Sequence, residues 1–448
     1  MASQALLISK LKHFSLETPK RAAFASGSDS IGWKDLLDEV AIYTEKLKCF
    51  SNKRTLLFIN NNFLQQIPFL ISTSQVHGEF ILISSYHTLA RAQVLMAEFD
   101  AENIICVEDK KIRILATRSP TNKPFIPEPL LGILTSGTTG TPKCARYSWD
   151  RLSKAVALNE KFRNCRWMMS YHITNFAGLQ VFLQCFLNGG CLILPKNWPS
   201  EWSEDLEMII SHHVEYLNCT ATYLRKLILC MSDAEILSVK RVTLGGEVVD
   251  QSLIDDLKNK FPAAKAIHIY ASTEMGARIE VKDEQAGFPI NLINEKDIRI
   301  VDNEIQLRPS ERSMISYLKN TSEPQIKPDV WMSTGDLVEV KDGRVFFLGR
   351  KDLMINVGGF KVNPTIVEAI IREVPGVEEV LVSGLKNPIS GYLVKATLVV
   401  RQNVEWEKTK TLILKECKKR LPYYSVPRIF ELTDRLVLTS SSKIMRKA

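Results

Sequence analysis

The sequence predicts an α/β fold, a large N-terminal region of doubly wound α/β subdomains followed by a small α+β C-terminal region. Three observations carry this. Apolar runs of strand length alternate with stretches of helical periodicity, as in RTLLFIN, then residues 63–74, then GEFILIS. Residues 375–448 change pattern and read strand, strand, helix, strand and tail. A chain of 448 residues is also too long for one ordinary core, so two or more domains are expected.

Taken in order, residues 1–50 read as helices, with Leu6, Leu7 and Leu11, then Leu36, Leu37, Val40, Ala41 and Leu47, at helical spacing. The strand–helix–strand unit at 54–84 is followed by a strand in NIICVED. Residues 110–129 carry four prolines and read as a connection. A short apolar strand at 130–134 then runs into GILTSGTTGTPK. In Thr135, Ser136, Gly137, Thr138, Thr139 and Gly140 no bulky side chain blocks the backbone, and Lys143 closes the run. Glycines let backbone N–H groups converge on an anion, hydroxyls add donors and the lysine adds a charge. The spacing differs from the P-loop of NTPases, since G-x-x-x-x-G-K-[ST] is absent. A Ser/Thr/Gly surface loop has the same composition, so position after a strand is what favours a phosphate cradle.

Beyond the loop, residues 149–158 read as a helix. A strand then ends at Tyr171-His172, and a helix starts near Gly178 and stops at Gly189-Gly190 before the strand CLILP. His172 alone reads equally as a buried core histidine. Residues 214–227 are strand then helix. RVTLGGEVVD ends a strand in Gly245-Gly246 followed by Glu247, and paired glycines leave room for a flat ring. HIYASTEMG delivers Tyr270, Thr273 and Glu274 to one edge, offering an aromatic face, a hydroxyl and a carboxylate suited to Mg2+. WMSTGDL supplies Asp336, whose two oxygens can accept from paired hydroxyls. FLGRKDLMINVGGFKVNP brings Arg350, Asp352 and the Gly358-Gly359 turn, which alone would be only a hairpin.

In this order the motifs resemble those of the adenylate-forming superfamily: acyl-CoA synthetases, aryl-acid ligases, adenylation domains and luciferases. The resemblance runs from about residue 20 to the end. It implies a boundary between an ATP- and acid-binding domain, 1–350, and a mobile C-terminal domain, 351–448, hinged at Asp352. It implies that Thr135 to Gly140 and Lys143 hold phosphates, that Gly245, Gly246, Glu247 and Tyr270 border adenine, and that Asp336 and Arg350 take the ribose or phosphate. Thr273 and Glu274 would serve phosphate and Mg2+. His172 would border the acyl pocket, and Gly358-Gly359 would line the passage for a pantetheine thiol. Lys443 matches the lysine that relatives bring down onto the carboxylate during adenylation. The implied reaction is ATP-dependent activation of a carboxylic acid to an acyl-AMP, then thioester formation with CoA. Loading of a carrier-protein phosphopantetheine and a degenerate nucleotide-binding pseudoenzyme are the alternatives.

Departures from the family pattern are Cys144, Ala271 and Ser442 where glycines are usual. SYHITNFAG lacks the aspartate that holds an amino acid's ammonium, so an aryl or fatty acid is expected. Thr174 and Asn175 suit a ring hydroxyl; Phe176, Leu179 and Phe182 suit an acyl chain.

Composition bounds the rest. Apolar residues at 45% and charged residues at 24% describe a globular chain, not a disordered or membrane-spanning one. The net charge of +8 suits ATP, CoA or an acidic carrier protein. Basic residues are spread along the chain, so no nucleic-acid partner is expected. Nine cysteines without a CxxC pair, and a start without signal-peptide character, imply reduced thiols and a cytoplasmic location.

Overall fold

The structure, a computed structural model, describes residues 4–85, 87–120, 126, 128–135, 142–198, 201–231, 235–318, 329–401, 404–437 and 444–446. The chain forms two compact units. The first comprises Met1–Gln285 and Pro309–Val330; the second comprises Ala286–Arg308 and Trp331–Thr439, with the last residues.

The first unit holds two sheets. One has the order Gly276–Val281, Lys265–Ser272, Arg241–Gly245, Tyr216–Cys219, Arg166–Met169, Cys191–Ile193, Ala22–Ser26, Asp29–Gly32. Its six inner strands are parallel and its two edges antiparallel. Alternate residues of one strand enter different cores: Trp167 and Met169 join the large central core, whereas Met168 packs with Ile193, Leu217 and Val242 on the other face. Both faces are therefore covered, as parallel sheets require. The second sheet has the order Ser316–Leu318, Lys143–Ser148, Leu130–Thr135, Glu79–Ser84, Arg54–Ile59, Asn103–Glu108, Lys111–Thr117. Its Leu57, Leu82, Ile105 and Ile133 share the central core with Trp167 and Phe182, joining the two sheets through one interior. Full burial of each such side chain contributes about 1.5–3 kcal/mol.

The α/β expectation holds, with local corrections. Residues 22–32 form a hairpin, not helix: AAFAS pairs with Cys191–Ile193, and Gly27 turns the chain at φ 58°. Alanine-rich AAFAS has no strand periodicity of its own, so tertiary pairing decides it. Lys111–Thr117 is an edge strand within the expected connection, joined to its partner by Asp109-Lys110, both at positive φ. That geometry suits a tight hairpin, and the prolines lie beyond it. The helix after Ser148 is Trp149–Lys154, shorter than expected, and the strand before His172 ends at Met169.

The second unit contains an antiparallel sheet ordered Phe288–Pro289, Arg344–Arg350, Met332–Lys341, Glu304–Leu307, Ile298–Val301. A further sheet joins Phe360–Val362, Ile355–Val357, Gly391–Val400 and Val377–Asn387, with Ile429–Leu432 parallel to Gly391–Val400. Pro364–Arg372 and Trp406–Arg420 cover it, burying Val367, Ile371, Ile413 and Cys417 against Val380, Val394 and Leu398. This is the α+β region read from the sequence. All nine cysteines are free thiols, and only Cys49 and Cys230 are exposed. No helix among the described residues is long and apolar enough to cross a membrane.

Candidate active site

In the first unit the expected phosphate loop is the connection of an antiparallel hairpin. Thr135 and Lys143 face each other as its last pair, while Ser136, Gly137, Thr138, Thr139 and Gly140 lie outside the described residues. Lys143 is exposed, and its Nζ sits 5.3 Å from the centroid of the Tyr317 ring. The Cys144 side chain turns inward and is wholly buried. Gly132 makes the room, since a Cβ there would lie 2.7 Å from Cys144 Sγ.

The strand Lys265–Ser272 carries Tyr270 to its end but stops before Thr273 and Glu274, which form the turn into Gly276–Val281. Register slips between Tyr270 and Ala271, a bulge at the position where relatives have glycine. Three contacts hold the turn. Tyr147 Oη donates to the Thr273 carbonyl at 2.5 Å, Met314 N–H donates to the Glu274 carbonyl at 2.8 Å, and Ser272 Oγ accepts Met275 N–H at 3.1 Å. Burial, and then the nearby Glu274 charge, raise the Tyr147 pKa, so its phenol remains a donor. Glu274 is half-buried, and Tyr317 Oη donates to its Oε1 at 2.8 Å.

The Gly245-Gly246 end is fixed from two sides. Tyr171 Oη donates to the Gly245 carbonyl at 3.2 Å. Glu247 accepts the Thr222 N–H at 2.7 Å through Oε2 and the Thr222 hydroxyl at 3.0 Å through Oε1. A carboxylate on the first turn of Ala221–Cys230 also meets the positive end of the helix dipole. Glu247 thus ties the glycine turn to the Ala221-Thr222 segment.

His172 is wholly buried between the edges of Phe63 and Trp198, at ring distances of 5.3 and 5.6 Å. Its Nδ1 accepts the Thr174 N–H at 3.3 Å and lies 2.8 Å from Thr174 Oγ1, which leaves the ring proton on Nε2. Burial pushes its pKa down to about 3, so the ring is neutral near pH 7. The unfolded chain binds a proton at the ordinary value of 6.5. Stability from His172 is therefore full above that pH and is lost as pH falls toward 3. We expect His172→Asn to flatten the fall of the urea midpoint between about pH 7 and pH 5. A wild-type slope in the variant would refute it. Close by, the helix Phe176–Leu187 approaches so tightly that a Cβ on Gly178 would lie 2.3 Å from the His172 carbonyl oxygen. Leu179 and Phe182, expected along an acyl pocket, are fully buried core residues, with Phe182 stacked on Phe24. Helical spacing alone did not distinguish core face from pocket face.

In the second unit, Asp336 pairs in register with Arg350. Arg350 Nη1 lies 3.4 Å from Asp336 Oδ1, and its Nε and Nη2 hold both oxygens of Asp352 at 3.0 and 3.3 Å. Gly335 takes φ 77°, where a Cβ would meet Arg350 Nη2 at 3.2 Å. Glu304 belongs to no motif, and sequence reasoning missed it. Its Oε1 accepts the Gly335 N–H at 2.9 Å and its Oε2 meets Lys351 Nζ at 3.2 Å. Burial raises the Glu304 pKa, but these donors outweigh it and the net shift is downward. Gly358 and Gly359, at φ 58° and 90°, form the turn between Ile355–Val357 and Phe360–Val362, with open space where side chains would be. Lys443 lies outside the described residues. Three residues further along the sequence, Arg446 clamps Glu368 at 2.8 and 2.6 Å, and Glu368 also accepts the Val382 N–H.

The model of the AMP-binding enzyme family matches residues 67–311, and that of the AMP-binding enzyme C-terminal domain matches residues 366–443. The chain is 28% identical over 333 residues to a 2-succinylbenzoate–CoA ligase of Bacillus licheniformis, covering 70% of this chain and 68% of that one. It is 22% identical to a D-alanine–D-alanyl carrier protein ligase of Staphylococcus aureus over 98% of both. The fold is also that of o-succinylbenzoate coenzyme A synthetase from Bacillus subtilis, solved with ATP and magnesium ion. The TM-score is 0.74 at 19% identity, covering 97% of this chain and 98% of that one. The chain belongs to the AMP-binding enzyme family, within the adenylate-forming superfamily.

Proposed function

We propose that this enzyme joins a carboxylic acid to a thiol in two steps through an acyl-adenylate. The observation that carries it is the convergence of Lys143, from the phosphate hairpin, and Glu274 on one tyrosine, Tyr317. A carboxylate is a poor acyl donor because hydroxide would have to leave. Attack of its oxygen on the α-phosphorus of ATP breaks the bond to the β-phosphate and releases pyrophosphate. The thiol sulfur then attacks the acyl carbon, AMP departs with the bonding pair, and the thiol proton passes to solvent. Hydroxyls of the Ser136–Gly140 run, Lys143 and Lys443 stabilise the charge-rich transition state by position.

Glu274 fits a magnesium ion: its Oε1 is held by Tyr317, and its Oε2 has no hydrogen bond among the described residues. Magnesium takes one or two carboxylates plus substrate phosphates, so a single such oxygen suffices, and the ion supplies charge neutralisation of the triphosphate. Asp336 and Arg350 take the ribose, and Gly245, Gly246 and Tyr270 take adenine. Thr273 supports the phosphates through its hydroxyl. The thiol reaches the acyl group past Gly358-Gly359 when residues 351–448 turn about Asp352.

The acid is aryl or fatty. No carboxylate stands in residues 170–178 to hold an ammonium group, and His172 is neutral. The acceptor is CoA, as the 2-succinylbenzoate relative's name supports; the D-alanyl relative favours a carrier-protein phosphopantetheine as second reading. Free thiols without a disulfide support a reducing, cytoplasmic compartment.

ATP–pyrophosphate exchange across 2-succinylbenzoate, benzoate, octanoate, palmitate and D-alanine tests the first step. We expect exchange with one aryl or fatty class and none with D-alanine. ATP binding without exchange on any acid would leave a nucleotide binder without turnover.

A further inference from the structure

The strand Ser316–Leu318 is three residues long, yet it closes the edge of the phosphate-loop sheet. It pairs antiparallel with Lys143–Ser148, placing Ser316 opposite Arg146, Tyr317 opposite Ala145 and Leu318 opposite Cys144. Strand alternation sends Leu318 into the small core with Cys144 and Ile81, and Ser316 is buried as well. Tyr317 must then face the other side, the side of Ala145 and Tyr147, where it packs on the central core. From that one face, two tyrosines reach the turn after Ser272: Tyr147 takes the Thr273 carbonyl and Tyr317 takes the Glu274 carboxylate.

Tyr317 meets two opposite charges at once. Its hydroxyl donates to Glu274, and its ring lies under the Lys143 ammonium. Lys143 and Glu274 form no ion pair with each other, although both converge on this ring. A carboxylate and an ammonium in direct contact would neutralise the two groups a metal–triphosphate needs.

We infer that Tyr317 is the positioning residue of the metal–triphosphate site. Its hydroxyl fixes one oxygen of Glu274 so that the other faces the ion, and its ring spaces Lys143 from Glu274 so that the lysine serves phosphate. The inference rests on Glu274 as the metal carboxylate.

Binding without turnover tests it. The full chain is titrated with α,β-methylene ATP by calorimetry, with Mg2+ and with the metal chelated. Tyr317→Phe keeps the ring and removes the hydroxyl. It should bind the metal-free analogue within about twofold of wild type, while the gain on adding Mg2+ falls about tenfold, the scale of a hydrogen bond to a charged group. Tyr317→Leu removes the spacer too, and should also lose about tenfold in metal-free affinity. In exchange assays the Tyr317→Phe defect should be largely relieved by raised Mg2+, a response that general loosening of the fold would not give. A full Mg2+ gain in Tyr317→Phe, or an equal loss with and without metal, overturns the inference. A full Mg2+ gain in Glu274→Gln instead overturns the metal reading of Glu274 on which it stands.

Discussion

Lys443→Ala is expected to lower acid-dependent ATP–pyrophosphate exchange by about two powers of ten or more, the scale seen when one donor to a developing charge is removed. When the carboxylate oxygen attacks the α-phosphorus, negative charge spreads over the reacting oxygens, and an ammonium placed there acts on the transition state far more than on either bound substrate. The loss should therefore fall on kcat, with the KM for ATP changed little. Thioester formation from supplied acyl-AMP needs no charge neutralisation at phosphorus and should proceed at the wild-type rate. Exchange that survives the substitution, or an equal loss in both half-reactions, would remove Lys443 from its proposed role.

The largest effect on stability is expected at Glu79. Its side chain is fully buried, and its two oxygens are divided between two arginines: Oε2 takes Arg54 Nε at 2.7 Å and Oε1 takes Arg146 Nε at 2.6 Å. Arg54 also donates to the Phe99 carbonyl at 2.8 Å, so the pair ties three strands and a helix end together. Such a cluster adds little compared with an apolar replacement of the whole, because each charge was taken out of water. Removing one member is different. Glu79→Ala leaves two guanidinium charges in the interior without their carboxylate, and should cost about 3–5 kcal/mol in urea unfolding. Glu79→Gln separates the causes: it keeps the shape and loses the charge, so it should retain most of the defect. Near-wild-type stability in Glu79→Gln would assign the effect to packing. Below the unfolding transition, either variant should keep its exchange rate per folded molecule.

What could be read before the fold was known depended on whether the chemistry was written in adjacent residues. Thr334-Gly335-Asp336 was legible as a short adjacent triplet, although its hydroxyl reaches the Ile305 carbonyl 29 residues away. The hydroxyl binds backbone, the glycine takes positive φ and the carboxylate faces the arginine opposite. Gly358-Gly359 was legible for the same reason. Tyr317 was not, because SYL has no signature and its strand partner is 170 residues away at Arg146–Ser316. The capping role of Glu247 and the bridging role of Glu304 were hidden likewise, since both act on segments distant in sequence. Leu179 and Phe182 failed in the opposite sense. Their spacing marks one face of a helix, and nothing local tells whether that face meets core or substrate.

The fit of Cys144 against Gly132 constrains how this chain can have changed. A thiol at 144 is compatible with a bare backbone at 132, and a methyl group at 132 would strike the sulfur at 2.7 Å and Ile81 Cγ1 at 2.9 Å. Position 132 is thus closed to side chains from two independent directions, so shortening Cys144 alone would not open it. The backbone of the strand leading into the phosphate hairpin is held bare by its neighbours on both sides.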